Sequence, residues 1–344
     1  MPSRLRHSSQ DEPGFSRRRR GRGFSYLNDA GKPIRCEKTL ARIQALGLPP
    51  AYEDVWICRD ANGHLQAAGT DERGRRQYRY HPDWRTFRDR QKYDRLESFG
   101  RALPRLRRQV AADLRRNRPD RAHVSAALVR LIDMAALRVG TERYADENGS
   151  FGAATLRSRH VRFDGPRLRL SFRAKGGKRV RKQVKDRTLA RVLERIGDLP
   201  GQVLFTCLGE DDETYPVHSE DVNRYIAEAT DDAGFTAKTF RTWHGTLCAL
   251  DTAVAAQNGL TIKMMSEAAA EKLHNSATIA RNSYIHPAVI ALADLGEAAR
   301  KSLLDDIDLR LAPNGLDRPE KRLVALLAGE HADAGSGTTQ RSRP

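Results

Sequence analysis

The sequence has few of the features that mark zinc-binding, disulfide-linked or membrane proteins. Its four cysteines, Cys36, Cys58, Cys207 and Cys248, are scattered, and no two of them form a Cys-x-x-Cys pair. A structural zinc site and a disulfide framework are therefore not expected, which fits a reducing compartment. No apolar stretch approaches the roughly 18 residues that span a bilayer, and the basic start lacks the apolar core of a secretory signal. We expect a cytoplasmic protein with no membrane partner.

Motifs for nucleotide and metal chemistry are also missing. The chain has neither a Walker A loop nor a dinucleotide-binding glycine fingerprint, so coupling to a nucleotide cofactor is not expected. The acidic run Asp211-Asp212-Glu213 has the composition of a solvated turn and not of a two-metal site. We expect no cofactor and no metal.

What is abundant is positive charge. The 344 residues include 61 Lys and Arg against 44 Asp and Glu, which gives a formal net charge of +17 and a sequence pI near 10.1. Arginine outnumbers lysine, which suits bidentate contacts with phosphate. Ribosomal, membrane-surface and heparin-binding proteins share such an excess, but nucleic acid is the partner that it favours most.

The pattern of apolar residues predicts an α+β protein of two domains between two tails. Residues 1–22 are polar and arginine-rich, and we expect a disordered basic tail there. Residues 23–90 have short strand-like runs separated by turns, which indicates a small β-rich domain. Residues 91–326 are mostly helical with one β-hairpin, and 327–344 are expected to be a disordered tail.

The last strand-like run of the small domain interleaves basic and aromatic residues. In a strand, Tyr78 and Tyr80 share one face, while Gln77 and Arg79 share the other. Such a surface can lie on nucleic acid. The alternative is an amphipathic edge strand whose tyrosines belong to the core.

The larger domain carries two cations whose positions leave their roles open. A helix predicted over 122–144 would place Arg138 at the margin of an apolar stripe, where an arginine either extends to solvent or meets an anion. The alternation in residues 167–185 predicts a hairpin with Lys175 at its tip, followed by Gly176-Gly177. Lys175 could donate a proton in a site, or it could be an exposed basic turn residue with Lys178 beside it.

Three further candidates lie near the C-terminal end. Arg241, in Lys238-Thr239-Phe240-Arg241, is expected near a helix N-terminus, where it meets an anion or a salt-bridge partner. Asn275 is either a helix N-cap or a phosphate ligand. Tyr284 ends a predicted helix and is either a packing residue or a nucleophile towards phosphate.

Taken in order, these segments resemble the type IB DNA topoisomerases, in particular the small poxvirus-like enzymes of bacteria. The matching segments are Leu137-Arg138-Val139-Gly140, Phe172-Arg173-Ala174-Lys175, Lys238-Thr239-Phe240-Arg241-Thr242-Trp243 and Ser283-Tyr284-Ile285-His286-Pro287, with Gln77-Tyr78-Arg79-Tyr80-His81-Pro82 in the small domain. The resemblance covers roughly residues 24–325. It implies a DNA-clamping domain followed by a catalytic domain of the tyrosine recombinase and topoisomerase IB type.

The resemblance also implies a role for each site residue. Tyr284 would be the nucleophile, Arg138, Arg241 and Asn275 would bind the phosphate, and Lys175 would be the general acid. Spacing assigns the fifth family position to Asn275, with His274 in place of the family's glycine. The residues implied to bind DNA are Gln77, Tyr78, Arg79, Tyr80, Arg173 and Lys238.

The activity implied is relaxation of supercoiled duplex DNA through a 3′-phosphotyrosyl intermediate, without ATP or metal, by a monomer in the bacterial nucleoid. A tyrosine site-specific recombinase is the nearest alternative. Recombinases favour His-x-x-Arg at the second arginine, whereas Lys238 stands three residues before Arg241 here. A non-catalytic basic DNA-binding protein is the alternative from another class.

Overall fold

The computed structural model describes residues 1–257 and 259–336. The chain divides into two compact units, Met1–Asp94 and Arg95–Pro344. The first contains a five-stranded antiparallel sheet, and the second is mostly helical with two small antiparallel sheets. The α+β prediction is confirmed. Within those described ranges, no helix combines the length and apolarity needed to cross a membrane.

The first unit has its sheet strands in the order β2-β1-β3-β4-β5. Ile43, Val55, Ile57 and Ala67 form its core, so one helix packs on the middle of the sheet. Its elements are β1 Phe15–Arg20, β2 Gly23–Leu27, α1 Glu37–Ala45, β3 Glu53–Ile57, β4 Leu65–Thr70, β5 Arg76–Tyr80 and α2 Pro82–Asp94.

The prediction of a disordered tail over residues 1–22 is wrong. Strand β1 lies inside the sheet and pairs with both β2 and β3, and Leu5 is buried. The arginine-rich strand is stable there because Arg17 is satisfied within the unit, while the three arginines that follow it are exposed to solvent. The guanidinium of Arg17 donates to the carbonyls of Pro49 and Tyr52 at 2.9 and 2.6 Å, and it lies 4.1 Å from the ring centroid of Phe24. Backbone pairing outweighs the polar composition.

Strand β5 places the two tyrosines at the surface. Tyr78 and Tyr80 are 44% and 37% exposed, and their ring centroids are 6.3 Å apart. On the other face, Gln77 donates to Asp71 at 2.9 Å and Arg79 to the carbonyl of Gly47 at 3.4 Å. The alternative that the tyrosines belong to the core is therefore wrong, while DNA contact by this strand stays a prediction.

The second unit is built around one large apolar core. Phe99 packs edge-to-face against Phe235, Phe240 and Trp243 at its centre. Its helices are α3 Leu96–Asp113, α4 Arg121–Ala135, α5 Glu142–Asn148, α6 Arg187–Gly197, α7 Ser219–Thr230, α8 Ala237–Ala255, α9 Ile262–Leu273, α10 Ala277–Tyr284, α11 Pro287–Ala291, α12 Glu297–Asp305 and α13 Arg318–Ser336. Its strands are β6 Val161–Asp164, β7 Arg167–Arg173, β8 Arg179–Lys185, β9 Thr206–Leu208 and β10 Thr214–Pro216.

The predicted hairpin is confirmed as strands β7 and β8, which pair in register from Arg167 with Lys185 to Arg173 with Arg179. Strand β6 pairs on the other edge of β7. One face is apolar and buried against the helical core, and the other is basic. The buried residues are Leu168, Leu170, Phe172, Val180 and Val184.

The prediction that disorder begins at residue 327 is wrong as far as the structure extends. Helix α13 continues to Ser336, and Leu327 is fully buried in the core. Near the N-terminus of the same helix, Glu320 is buried and accepts two hydrogen bonds from Arg107 of α3. An apolar face and a buried ion pair therefore hold the helix on the second unit. Residues 337–344 of the predicted tail lie outside the described residues.

Candidate active site

The segment that carries Arg138 is not helical. Helix α4 ends at Ala135, and Ala136 takes the left-handed conformation with φ of 51°. The helix predicted over 122–144 is therefore wrong, and Arg138 does not lie at the margin of an apolar helix stripe. A backbone reversal after α4 turns Arg138 towards a different set of neighbours.

Two glycines hold this connection in place. A Cβ on Gly140 would lie 2.7 Å from the Cα of Gly152, so neither position tolerates a larger residue without a shift in backbone. The amide of Ala153 donates to the carbonyl of Arg138 at 2.8 Å. The backbone of Arg138 is thus fixed against the segment that precedes strand β6.

Arg241 is buried, with an exposed fraction of 3%. Its helix begins at Ala237, so it lies one turn inside the helix and not at the N-terminus that we expected. Its guanidinium donates to the carbonyl of Ala136 at 2.6 Å and to that of Leu273 at 3.0 Å. These carbonyls belong to the ends of α4 and α9. Arg241 therefore joins the two chain segments that lead to Arg138 and Asn275.

Arg241 keeps donor capacity for a further acceptor. Its Nε is buried without a hydrogen-bond partner. Burial, and the charge of Arg138, lower its pKa to about 10, so the guanidinium stays protonated at neutral pH. A buried cation with an unused donor is suited to an anion that enters the site.

Asn275 directly contacts Arg138. The Oδ1 of Asn275 accepts a hydrogen bond from Nη2 of Arg138, and its Nδ2 is buried without a partner. The N-cap of α10 is Ser276, whose hydroxyl accepts from the amide of Ile279 at 3.3 Å. The N-cap alternative for Asn275 is therefore wrong, and its amide is free to donate.

The resemblance implies a glycine at position 274, and the structure shows why: this residue takes the left-handed conformation at the end of a helix. His274 occupies it here. It follows α9 with φ of 50°, a conformation in which glycine carries no steric penalty. The backbone path is thus kept with a histidine side chain. Its ring faces cations on several elements, and burial together with Lys182, Arg241, Arg138 and Lys178 lowers its pKa.

Tyr284 is the last residue of α10 and is 9% exposed. Gly245 of α8 permits this packing, because a Cβ there would lie 2.6 Å from the carbonyl oxygen of Tyr284. The hydroxyl of Thr246 donates to the same carbonyl at 3.2 Å and accepts from the amide of His286 at 3.0 Å. The backbone on both sides of Tyr284 is therefore held by helix α8.

The ring of Tyr284 lies beside cations. The guanidinium carbon of Arg241 is 4.9 Å from its centroid. Burial alone would raise the pKa of the phenol, but Arg241, Arg138 and Lys238 lower it, and the net shift is downward. The phenolate form is thus more accessible than in an ordinary buried tyrosine.

Lys175 lies at the hairpin tip, where Gly176 and Gly177 both have positive φ. It is exposed, and its Nζ is 5.6 Å from the ring centroid of Tyr144. Tyr144, from α5, was missed by sequence reasoning, because α5 was predicted as the end of a longer helix.

A cleft of about 260 Å³ brings several of the predicted residues together. Its lining includes Arg138, Lys175, Lys238, Arg241 and Tyr284. No carboxylate is among the described residues that line it. Neither Lys178 nor Asn275 is in the lining. Asn275 is joined to the cleft by its hydrogen bond with Arg138, and Lys175 is favoured over Lys178 because it lines the cleft. Arg173 lies outside the cleft on the basic face of the hairpin, and residues 77–80 belong to the first unit.

Two models of known protein families together match most of the chain. Residues 81–283, more than half of the chain, match the model of the eukaryotic DNA topoisomerase I catalytic core. Residues 23–71 match the N-terminal domain of bacterial DNA topoisomerase IB. The chain belongs to the type IB DNA topoisomerases. It is also 28% identical over 286 residues to DNA topoisomerase 1B of Acanthamoeba polyphaga mimivirus, which covers 79% of this chain and 85% of that protein.

Membership of this family makes the protein a DNA-binding isomerase that changes DNA topology. The two family matches together span both structural units, and the β-rich first unit matches a topoisomerase domain. The recombinase and the non-catalytic binder are therefore not supported. The catalytic-core match ends at Ser283, one residue before Tyr284, so the role of Tyr284 is a proposal from its position in the structure.

Lys182 adds a link between the topoisomerase hairpin and helix α9. It lies on β8, and its Nζ donates to the carbonyl of Lys272 at 2.5 Å. Burial first, and then the charges of Lys272 and Arg241, lower its pKa from 10.5 to about 8. The hairpin that carries Lys175 is thereby tied to the helix that leads to Asn275.

We expect Lys182 to make the stability of this topoisomerase pH-dependent. Because its pKa is lower in the folded state, the unfolded chain binds more protons between about pH 8 and 10.5, and the free energy of unfolding rises with pH there. The Lys182→Met variant should lack this rise. Denaturant unfolding of both proteins at pH 7 and pH 10 measures the difference. Parallel changes in the two proteins would contradict the assignment.

Proposed function

We propose that this topoisomerase cuts one DNA strand with Tyr284 and relaxes positive and negative supercoils without nucleotide or metal. The observation that carries the proposal is the cleft in which Arg138, Lys175, Arg241 and Tyr284 meet with no carboxylate in its described lining. An unbalanced group of cations beside a tyrosine with a lowered pKa suits a phosphodiester.

In the proposed cleavage step, the Tyr284 hydroxyl gives its proton to solvent water, and its oxygen bonds to the phosphorus in line with the 5′-oxygen. The bond from phosphorus to that 5′-oxygen breaks, and Lys175 gives a proton to the leaving oxygen. The products are a 3′-phosphotyrosyl link and a free 5′-hydroxyl. Religation is the reverse, so the energy of the phosphodiester is kept and no fuel is used.

The transition state gathers negative charge on the non-bridging oxygens. The buried Nε of Arg241 and Nδ2 of Asn275 have no partners in the protein, and both are suited to donate to those oxygens. Arg138 holds Asn275 by its Oδ1 and adds a second guanidinium. In a site of low dielectric, one such donor contributes on the order of 10²–10³ in rate.

We propose metal independence on the same inventory, because fixed cations can supply the charge that a bound metal ion supplies elsewhere. Among residues 1–257 and 259–336, no group of three or more His, Cys, Asp or Glu side chains could hold a metal ion. We propose in addition that the enzyme acts as a monomer in the bacterial nucleoid.

The test is relaxation of positively and negatively supercoiled plasmid in EDTA without nucleotide. We expect relaxation of both, with the protein trapped on the 3′ side of the break after denaturation. A strict requirement for Mg²⁺ or ATP, or a protein linked to the 5′ end, would overturn the mechanism. Joining of two specific sites would indicate recombination.

Separate alanine variants of His274 and Asn275 test the fifth position. We expect Asn275→Ala to lower the cleavage rate by about 10²-fold, because it removes a donor to the phosphate and the acceptor of Arg138. His274→Ala should have the smaller effect, since its main-chain conformation is one that alanine adopts with modest strain. Single-turnover cleavage of a duplex measures both. A larger loss in His274→Ala would reverse the assignment.

A further inference from the structure

The outward face of the three-stranded sheet β6-β7-β8 carries an excess of positive charge that the catalytic roles do not use. Strand alternation directs one set of side chains away from the core, and all seven cations of that set are exposed. We call this surface the arginine face. It consists of Arg162, Arg167, Arg169, Arg173, Arg179, Arg181 and Lys185.

The charges of the arginine face are poorly compensated within the protein. Arg162 is directly opposite Arg169, and Arg173 is directly opposite Arg179, an arrangement that is destabilising in a sheet. Asp164 is the one carboxylate among the outward residues of these described strands, and it accepts from Arg169 at 2.9 Å. Like charges kept together on a stable sheet indicate a polyanionic partner.

The arginine face is continuous with the active site. Strand β7 leads directly from Arg167 to Arg173 and on to Lys175, which lines the cleft. At the tip, the guanidinium of Arg173 lies over Gly177, where a Cβ would be 3.4 Å from Nη2 of Arg173. A broad recess of about 790 Å³ opens on the same face between Arg162, Arg169, Arg179 and Arg181.

The spacing of the arginine face suits a DNA backbone. Outward residues along a strand are about 6.7 Å apart, which is close to the rise of about 3.4 Å per base pair along the DNA axis taken twice. The outward positions of β7 therefore extend for about 20 Å, or about six base pairs. A compact acidic ligand would occupy only part of such a row.

We propose that the arginine face binds the backbone of the duplex being cut, on the arm that carries the 5′-hydroxyl. This rests on the proposed role of Lys175, because a lysine that protonates the 5′-oxygen places the hairpin on that side of the scissile phosphate. This is the arm that rotates during relaxation. The sheet face thereby extends the DNA site beyond the cleavage cleft.

The test uses duplexes built around a cleavage site of this enzyme that has first been mapped by trapping the covalent complex. The upstream arm is fixed at 12 base pairs, and the downstream arm has 4, 8, 12 or 16. Binding to each is measured against salt concentration for the wild-type enzyme and Arg162→Gln/Arg181→Gln. The matched control is Arg187→Gln/Arg191→Gln, which removes two exposed arginines from α6, the helix on the opposite side of β7.

For wild-type enzyme and control, we expect the slope of log affinity against log salt to steepen as the downstream arm grows past about six base pairs. In Arg162→Gln/Arg181→Gln the slope on the longest arm should be smaller by about 1.8, since each lost phosphate contact removes about 0.9. Unfolding curves that match those of the wild type exclude a folding defect.

Three outcomes would overturn the inference. They are equal slopes in all three proteins, a slope loss in Arg162→Gln/Arg181→Gln that is the same for every downstream arm length, and a second unlabelled duplex that joins a preformed complex through the arginine face. The proposed function fails separately, since its failure is an enzyme that leaves no covalent complex to map.

Discussion

Tyr284→Phe will abolish DNA relaxation while leaving the protein folded and bound to DNA. The change removes one oxygen, and without the proposed nucleophile we expect no phosphotyrosyl bond to form. We expect a loss of about 10⁴-fold or more, as is found when a nucleophile that acts with a set of supporting groups is removed. Plasmid relaxation measures the loss of activity, and denaturing gels measure the loss of the covalent adduct between protein and DNA.

The phenyl ring of the variant should preserve the fold around residue 284. Tyr284 packs with Ala136 and Leu273 and lies under the guanidinium of Arg241, and a phenyl ring keeps both contacts. The free energy of unfolding should therefore change by about 1 kcal/mol or less. DNA binding should persist, because the cations of the site are unchanged.

Tyr215→Phe is the matched control for this experiment. Tyr215, on strand β10, is 40% exposed, and its hydroxyl donates to Asp211 at 2.6 Å. Loss of this hydroxyl therefore removes a surface hydrogen bond only. This variant should relax DNA at the wild-type rate. Substantial relaxation by Tyr284→Phe would contradict the nucleophile assignment and would require another tyrosine or a different mechanism.

Local alternation made the hairpin predictable from sequence, whereas long-range contacts made the segment after α4 unpredictable. Strand β7 alternates basic and apolar residues, Val180 and Val184 continue the apolar face in β8, and two glycines mark the turn. The apolar periodicity of α4 gives no sign of its end at Ala135. That end depends on the approach of Gly140 to Gly152 and on the bond from Arg241 to the carbonyl of Ala136.

Composition was a poor guide at the two ends of the chain. The arginine-rich run in β1 has the composition of a disordered tail, yet Arg17 is satisfied by carbonyls that lie 32 and 35 residues further along. The end of the chain has few apolar residues, yet Leu327 reaches the core. In both cases a partner distant in sequence supplies the stabilisation.

The order of the site residues along the chain could be predicted from the sequence, but the different contacts that each of them makes could not. Arg138 and Arg241 look alike as arginines within short motifs. In the structure, Arg138 bonds to the side chain of Asn275, while Arg241 is buried and holds two main-chain carbonyls. Only the fold reveals that Arg138 follows the end of α4 and that Arg241 holds that end through the carbonyl of Ala136.

Arg241 lines the cleft and also holds two main-chain carbonyls. We therefore expect Arg241→Ala both to slow cleavage and to lower the stability of the folded protein. The variant removes a donor to the phosphate and a cation that lowers the pKa of Tyr284, so the cleavage rate should fall by about 10³-fold or more. It also leaves the carbonyls of Ala136 and Leu273 without this donor. We expect the free energy of unfolding to fall by about 2–3 kcal/mol.

Arg300→Ala separates the two effects. Arg300 is also buried, with an exposed fraction of 4%, and donates to the carbonyl of Ala256 at 3.1 Å, but α12 does not line the cleft. Its loss should destabilise the protein to a similar extent and change the rate of single-turnover cleavage by less than about tenfold. If the two variants lose stability and cleavage in the same proportion, Arg241 acts only as a structural brace. If Arg241→Ala alone loses the cleavage step at a temperature where both variants are folded, its guanidinium acts on the phosphate.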